Sequence, residues 1–339
     1  MARKNKKGGG KRQRAKQRAQ YDELDKYPVL PPHAFARIVR DKQTLNIIYQ
    51  IIEPPMTKKE QEQRDEILDI FIRSLTANIE EIDANPEAYI RTAMDKVIKA
   101  YGMKINKKSK SKIFYYLKRD LIGYGEMDVL MNDINVEDIS LDGTNVPIFA
   151  YHRKFESVET TCVWATDHEL ESYVIKLAQR CGKHISVASP LLDATLMDGS
   201  RIVMKLGREV STRGSAFCIR RFKDDPFSPA DIVAFRTMSS LMVAYLWIAF
   251  QNEVPMLFVG GTASGKTTTL NAMCIFIPWQ MKIVSIESTR EVNIPQPNWV
   301  PGLTRQGFGG ESTDGVIGEF ELLKAALRER PEYLSLIHI

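Results

Sequence analysis

The stretch Gly260 to Thr267 reads GGTASGKT, and no other part of this chain restricts its fold as tightly. It satisfies the pattern G-x-x-x-x-G-K-[ST] between an apolar run, Met256 to Val259, and a helical stretch, about Lys266 to Ile277. Glycines let the backbone turn sharply and aim N–H groups inward, and a helix N-terminus adds partial positive charge. The lysine of such a loop reaches β- and γ-phosphates, and the hydroxyl that follows meets Mg²⁺. Gly260, Gly261, Thr262, Ala263, Ser264, Gly265, Lys266, Thr267 and Thr268 are therefore the expected nucleotide-binding residues. No Asn-Lys-x-Asp guanine-reading motif occurs, so ATP is favoured over GTP.

After Pro278 the run Lys282 to Glu287 reads as the next strand, completing a βαβ unit of a parallel sheet. The carboxyl end of that strand falls beside a phosphate site, where Glu287 could orient a water or the metal's hydration shell. A solvated glutamate opening a loop is the plainer alternative, with Glu291 equally available. Upstream, Arg201, Lys205, Arg208, Arg213, Arg220 and Arg221 gather within a short span. Arginine suits phosphate charge developing in a transition state, although most surface arginines are simply hydrated.

Charge is unevenly placed. Residues 1–20 hold nine Lys/Arg and no acid, leaving 38 basic against 42 acidic residues in the rest. Such an arm buries no core; it suits contact with anionic lipid or nucleic acid, or serves as a solubilising leader. No secretory signal or membrane span is expected, since the longest apolar run, Leu241 to Phe250, is about half the ~20 residues a bilayer helix needs. Cys162, Cys181, Cys218 and Cys274 lack paired spacing and are expected as reduced, buried residues.

Residues 25–55 are punctuated by Pro28, Pro31, Pro32, Pro54 and Pro55, favouring extended segments and turns. A capping box, Thr57 to Glu60, opens a helix with apolar positions Ile67, Phe71, Leu75, Ile79 and Ile82, and another helix follows from about Pro86 to Tyr101. Lys104 to Arg119 is basic with an aromatic cluster at Phe114, Tyr115 and Tyr116; a helix with lysines in water and rings packed inward is expected, rather than a phosphate contact. Short strands follow at Val136–Leu141, Val146–Tyr151, Val158–Ala165, Ile202–Leu206 and Ser215–Phe222, with a Thr166/Glu169-capped helix ending at Gly182. Beyond the linker KDDPFSP, a helix over about Ala230–Asn252 is expected to break near Thr237–Ser240.

GGTASGKTTTLNA, KIVSIESTREVNIP and NWVPGLTR, with GYGEMDVLMNDINVEDISLDG, SPLLDATLMDGSRI and SAFCIRRF upstream, resemble the ATPases of type II and type IV secretion systems, closest to the archaeal branch that powers archaella and pili. The resemblance spans roughly Leu121 to Tyr333. It implies an α/β protein: a P-loop, RecA-like motor domain preceded by a small α+β PAS-like domain, with a helical extension ahead of both. The expected partition is a basic tail over 1–24, the helical extension over 25–112, the α+β domain over 113–222, a linker over 223–236 and the motor domain over 237–339. By the resemblance Lys266 and Thr267 hold phosphate and Mg²⁺, Glu287 polarises the attacking water, and Arg201, Arg220 and Arg221 approach the phosphates. It further implies a hexameric ring at the cytoplasmic face of the cell membrane, converting ATP hydrolysis into movement of a polytopic platform protein, with residues 1–20 available to an anionic membrane surface.

Two departures stand out. The acidic box usually reads Ile-Glu-Asp-Thr, whereas Ile286-Glu287-Ser288-Thr289 retains the glutamate and lacks the neighbouring acid. LRERPEY should lead into a strand ending in Gly-Glu, the Walker B element, but the sequence reads Leu334-Ser335-Leu336-Ile337-His338-Ile339 and stops. A chain cut within its motor domain is the expectation. Two alternatives stay open: a fragment that binds ATP without turning it over, and a nucleic-acid-dependent P-loop ATPase.

Overall fold

The computed structural model describes residues 20–73, 85–222, 226–261, 264–305 and 317–337. The basic tail up to residue 19, the apolar positions Leu75, Ile79 and Ile82, linker residues 223–225, Thr262, Ala263, His338 and Ile339 lie outside them. The chain divides into two compact units, Met1–Lys176 with Val203–Arg221, and Leu177–Ile202 with Phe222–Ile339.

The first unit opens with strands β1 (Tyr21–Leu30), β2 (Ala34–Asp41) and β3 (Ile47–Ile52). The extended character expected of residues 25–55 is thus present as paired strands, whereas the basic tail expected over 1–24 and the helical extension expected over 25–112 give way to sheet between Tyr21 and Ile52. The difference arises because Pro28 and Leu30 coincide with a register irregularity at which β1 still pairs antiparallel with β2. The Ile-rich run of β3 then supplies the β-branched residues a sheet favours. Three helices follow: α1 (Lys58–Arg73), α2 (Pro86–Ala100) and α3 (Lys107–Leu121). Thr57 Oγ1 accepts from the Glu60 N–H at 3.3 Å while the Glu60 carboxylate accepts from the Thr57 N–H at 2.8 Å, the expected capping box. Asn85 caps α2, with Pro86 in its first turn, and Asn106 caps α3. Ile67, Ile90, Met94, Val97, Ile113 and Leu117 form the bundle core. As expected, the aromatics of α3 turn inward: the Tyr115 hydroxyl donates to Glu53 and that of Tyr116 to the Pro54 carbonyl.

The chain returns to the sheet through α4 (Asp128–Asn132), β4 (Val136–Leu141), β5 (Pro147–His152), β6 (Glu156–Val163), α5 (Asp167–Arg180), β8 (Arg201–Lys205) and β9 (Ala216–Arg220). The strand order is β1-β2-β3-β6-β5-β4-β9-β8. The β3–β6 pair is parallel, whereas β4–β5, β5–β6 and β4–β9 are antiparallel. Alternation puts Ile139, Leu141, Ile148, Ala150, Val158 and Ile219 inside. A buried polar knot fastens the early strands to the later ones. Asp133 Oδ2 accepts from the hydroxyls of Tyr27 at 2.6 Å and Tyr49 at 2.7 Å, and Tyr27 also contacts His152 Nε2 at 2.9 Å.

In the second unit, β7 (Leu191–Thr195) leads into a tight Leu196–Ser200 turn. After the linker come α6 (Pro229–Ala234) and α7 (Ser240–Gln251), so the expected helix does break between Phe235 and Ser239. α8 (Lys266–Cys274), β10 (Ile283–Glu287), β11 (Trp299–Leu303), α9 (Glu319–Arg328) and β12 (Tyr333–Leu336) complete it. β10 pairs in parallel with β11 on one side and β12 on the other, and every residue of β10 is buried. That suits a central parallel strand covered on both faces. The expected strand Met256–Val259 has no ladder partner among the described residues. It runs instead along a cavity of about 720 Å³ that separates it from β12. Cys162 and Cys274 are buried as expected, but Cys181 is half-buried and Cys218 exposed, because it alternates outward on β9; all four are free thiols. Among the described residues no helix is long and apolar enough to cross a membrane.

Candidate functional site

The glycine-rich loop enters α8 through Gly265, whose φ of +85° makes it a left-handed N-cap that only glycine adopts without strain. No side chain caps this terminus, so the first N–H groups of α8 face outward with the helix dipole behind them. A Cβ on Gly260 would lie 2.5 Å from Ser264 Oγ, showing how closely the loop folds on itself. The Lys266 ammonium bends back over the loop, donating to the carbonyls of Gly260 at 3.0 Å and Gly261 at 2.7 Å. Thr267 and Thr268 follow in the first turn of α8, and Thr267 with Lys266, Gly260 and Val259 lines one end of the cavity. A concave run of backbone donors, an ammonium and a hydroxyl fits the polyphosphate of a nucleotide. Among the described residues no cluster of three His, Cys, Asp or Glu side chains could cage a metal.

Glu287 ends β10 and is fully buried. Its carboxylate is tied on both oxygens. Oε1 accepts from the Ser285 hydroxyl at 3.0 Å, and Oε2 accepts from the backbone N–H groups of Glu291 at 2.6 Å and Val292 at 2.9 Å. Burial pushes its pKa above the usual glutamate value, while the donors that point at it pull the other way. Glu287 therefore anchors the loop that follows β10, a role that motif spacing did not indicate. Trp299 Nε1 donates to Ser285 Oγ at 3.0 Å, extending the chain of bonds into β11. The same loop carries Arg290, whose guanidinium lies 5.6 Å from the Phe222 ring centre and 5.4 Å from that of Trp299, a cation–π sandwich. From the other side, Asn271 of α8 accepts from the Asn293 N–H and donates to the Glu291 carbonyl. The loop after β10 is thus pinned both by Glu287 and by the helix that begins at the phosphate-binding turn.

The arginines separate in kind. Arg201 makes a two-pronged ion pair with Asp193 across β7 and β8, at 2.5 and 3.2 Å, and its pKa is raised first by that hydrogen bond and further by the charges of Asp193 and Glu291. Arg220 is exposed and pairs loosely with Asp138 at 3.4 Å. Arg221 donates to the backbone carbonyls of Asp133 and Val136, bracing the turn before β4. Arg201 lies in the second unit with Lys266 and Glu287, whereas Arg220 and Arg221 lie in the first.

Comparison with known proteins now bears on this geometry. The family model described as type II/IV secretion system protein matches residues 152–336, more than half of the chain. An uncharacterized protein of Methanocaldococcus jannaschii is 35% identical over 313 residues, covering 91% of this chain and 55% of its own length. The type IV secretion system protein VirB11 of Bartonella henselae is 28% identical over 216 residues, covering 54% of this chain and 59% of that protein. Among solved structures, the VirB11 ATPase of the Brucella suis type IV secretion system, in complex with sulphate, aligns at 21% identity and a TM-score of 0.27, covering 61% of this chain and 65% of the other. The pilus retraction motor PilT with bound ADP aligns at 16% identity and a TM-score of 0.39, covering 61% and 57%. Superpositions this loose do not fix residue correspondences. The chain thus spans little more than half the length of these two relatives. On the extent of the family match, the chain belongs to the type II/IV secretion system protein family.

Proposed function

We propose that this chain carries the nucleotide-binding part of a motor ATPase that powers protein secretion or the assembly of a pilus or archaellum. The observation that carries the reading is the uncapped N-terminus of α8 at Gly265, with the Lys266 ammonium folded over the loop and Thr267 in the first turn. ATP is the substrate, its phosphates taken by residues 260–268 and its Mg²⁺ by the Thr267 hydroxyl; the ion offsets phosphate charge as it develops.

Glu287 is the residue to orient the attacking water, and its geometry says what that requires. Both carboxylate oxygens are engaged and the side chain is out of contact with solvent, so the loop Ser288–Val292 must shift to release one of them. Arg201 is the candidate for a phosphate-sensing cation within the second unit, which it shares with Lys266 and Glu287; Arg220 and Arg221 would act from the first. A hexameric ring, a PAS-like first unit, a RecA-like second unit and a polytopic membrane platform as the driven partner belong to this proposal. They follow from family membership and not from the geometry.

The closed arrangement around Glu287 favours a second reading, in which the chain as it stands binds ATP without turning it over. The two are separated by measuring fluorescent-nucleotide affinity and phosphate release on the same preparation, with Lys266→Ala as reference. Binding and release both lost in the variant support the motor reading, whereas binding with no release in the parent chain supports the second. Undiminished nucleotide binding by Lys266→Ala refutes both.

A further inference from the structure

One end of the helical bundle is built almost entirely of lysine. The first turn of α1, the last turn of α2 and the first turn of α3 meet there. Glu60 of α1 accepts from Ser109 of α3 at 2.7 Å and pairs with Lys112 at 3.2 Å, and Lys110 of α3 pairs with Asp95 of α2 at 2.6 Å. Those bonds absorb two lysines together with Glu60 and Asp95, and leave Glu62, exposed on α1, as the nearest remaining acid. Lys58, Lys59, Lys96, Lys99, Lys104, Lys107 and Lys108 remain, all exposed and without an ion pair among the described residues. From Lys96 to Lys108 the sequence contains no acid at all.

This placement opposes folding. α3 has no acidic residue in its first turn and three lysines there or next to it, where the helix dipole disfavours cations, and α1 opens with two more. Mutual repulsion of seven unpaired ammonium groups adds to the cost. Nothing within the bundle requires them, because its core is apolar and its caps are supplied by Thr57 and Asn106.

We infer that this end of the bundle is a docking surface for the anionic headgroups of a lipid bilayer. Two features favour lipid over nucleic acid. The unpaired cations are all lysine, a hydrated point charge suited to diffuse headgroup attraction, with none of the arginines that read base edges. The one exposed aromatic, Tyr101, is 62% exposed amid Lys99, Lys104 and Lys107, the placement of an interfacial tyrosine, and a platform stacking successive bases needs several rings. Met103 and Ile105 of the same connection pack inward against the bundle core, so the segment that carries Tyr101 is fixed at this end. The inference does not rest on nucleotide binding and fails or stands separately from it.

The test is co-sedimentation of the full chain with vesicles of phosphatidylglycerol and phosphatidylcholine, against phosphatidylcholine alone. The expected result is salt-sensitive binding to the first and none to the second. A lysine near an anionic surface is worth about fivefold in partitioning, so a Lys99→Glu/Lys104→Glu/Lys107→Glu variant should bind at least about a hundredfold more weakly. Its thermal unfolding should be no lower than the parent's, because these side chains hold nothing in place and their mutual repulsion opposes folding. Because residues 1–20 are also basic, a variant lacking them is run in parallel and is expected to keep most of the binding. Equal binding by the triple variant, or binding lost only with residues 1–20, overturns the inference. So does a triple variant that loses affinity for random-sequence duplex DNA while vesicles never bind.

Discussion

Replacing Glu287 by alanine and by glutamine should have sharply different consequences, and the difference can be worked from the bonds it makes. Alanine leaves the Glu291 and Val292 N–H groups facing a buried void. Each stranded donor costs about 1–3 kcal/mol, partly offset by no longer burying a carboxylate, so a net loss of about 2–4 kcal/mol is expected. Glutamine keeps one oxygen for both amides. Its NH₂ can donate to Ser285 Oγ, which has a second lone pair beside the bond from Trp299, and the cost should stay within about 1 kcal/mol. Because the two units need not unfold together, amide hydrogen exchange at Glu291 and Val292 is the sharper assay. Protection there should fall about a hundredfold in the alanine variant and stay near the parent value in the glutamine one. Phosphate release should be lost in both if the carboxylate orients water. The sign with pH also follows. A glutamate whose folded pKa is raised binds its proton more tightly in the folded state. The parent chain should therefore lose stability as pH rises from the ordinary glutamate value through the folded one, a slope the glutamine variant lacks. Unchanged protection in the alanine variant would refute the anchoring role, and full turnover by the glutamine variant would refute the catalytic one.

Glu60 should show the opposite slope, because the Thr57 N–H, Ser109 and Lys112 hold its pKa down to about 2. The bundle should keep this contribution, of order 2 kcal/mol, above the ordinary glutamate value and lose it as pH falls toward 2; helix content followed by circular dichroism, with Glu60→Gln as the flat control, checks it. Gly143→Ala should destabilise the first unit by about 2 kcal/mol or more, read from chemical denaturation. Gly143 has a φ of +126°, and an added Cβ would stand 2.3 Å from the Arg213 carbonyl oxygen, a backbone atom with no room to yield.

Much of this fold can be read from local signals. The capping box at Thr57–Glu60, the Thr166 hydroxyl that accepts from the Glu169 N–H, the break before Ser240 and the alternating strands from Val136 onward depend on neighbours within a few residues, and the structure has them. Strands β1 to β3 escape such reading because prolines mask β1, and because the outer partner of β3 is β6, more than a hundred residues away. Met256–Val259 carries the composition of a strand, yet composition cannot supply a hydrogen-bonding neighbour. At the site, the loop Gly260–Thr267 is legible because backbone geometry dictates its glycines. The double engagement of Glu287 is not, since two of its three donors are main-chain N–H groups that any residue but proline at 291 and 292 would provide. The bracing of β4 by Arg221 is hidden likewise, because carbonyl acceptors leave no trace in sequence.

The parallel pairing of Ile48 and Tyr49 with Glu159 and Thr160 also sets a timetable for synthesis. A ribosome adding about 5–20 residues per second delivers β3 some 5–20 seconds before its neighbour β6 exists. During that interval an Ile-rich strand presents an open edge, the kind of surface on which nascent chains stick to one another. The nine cations of residues 1–20 precede it in the chain, and like charges on neighbouring copies oppose such sticking.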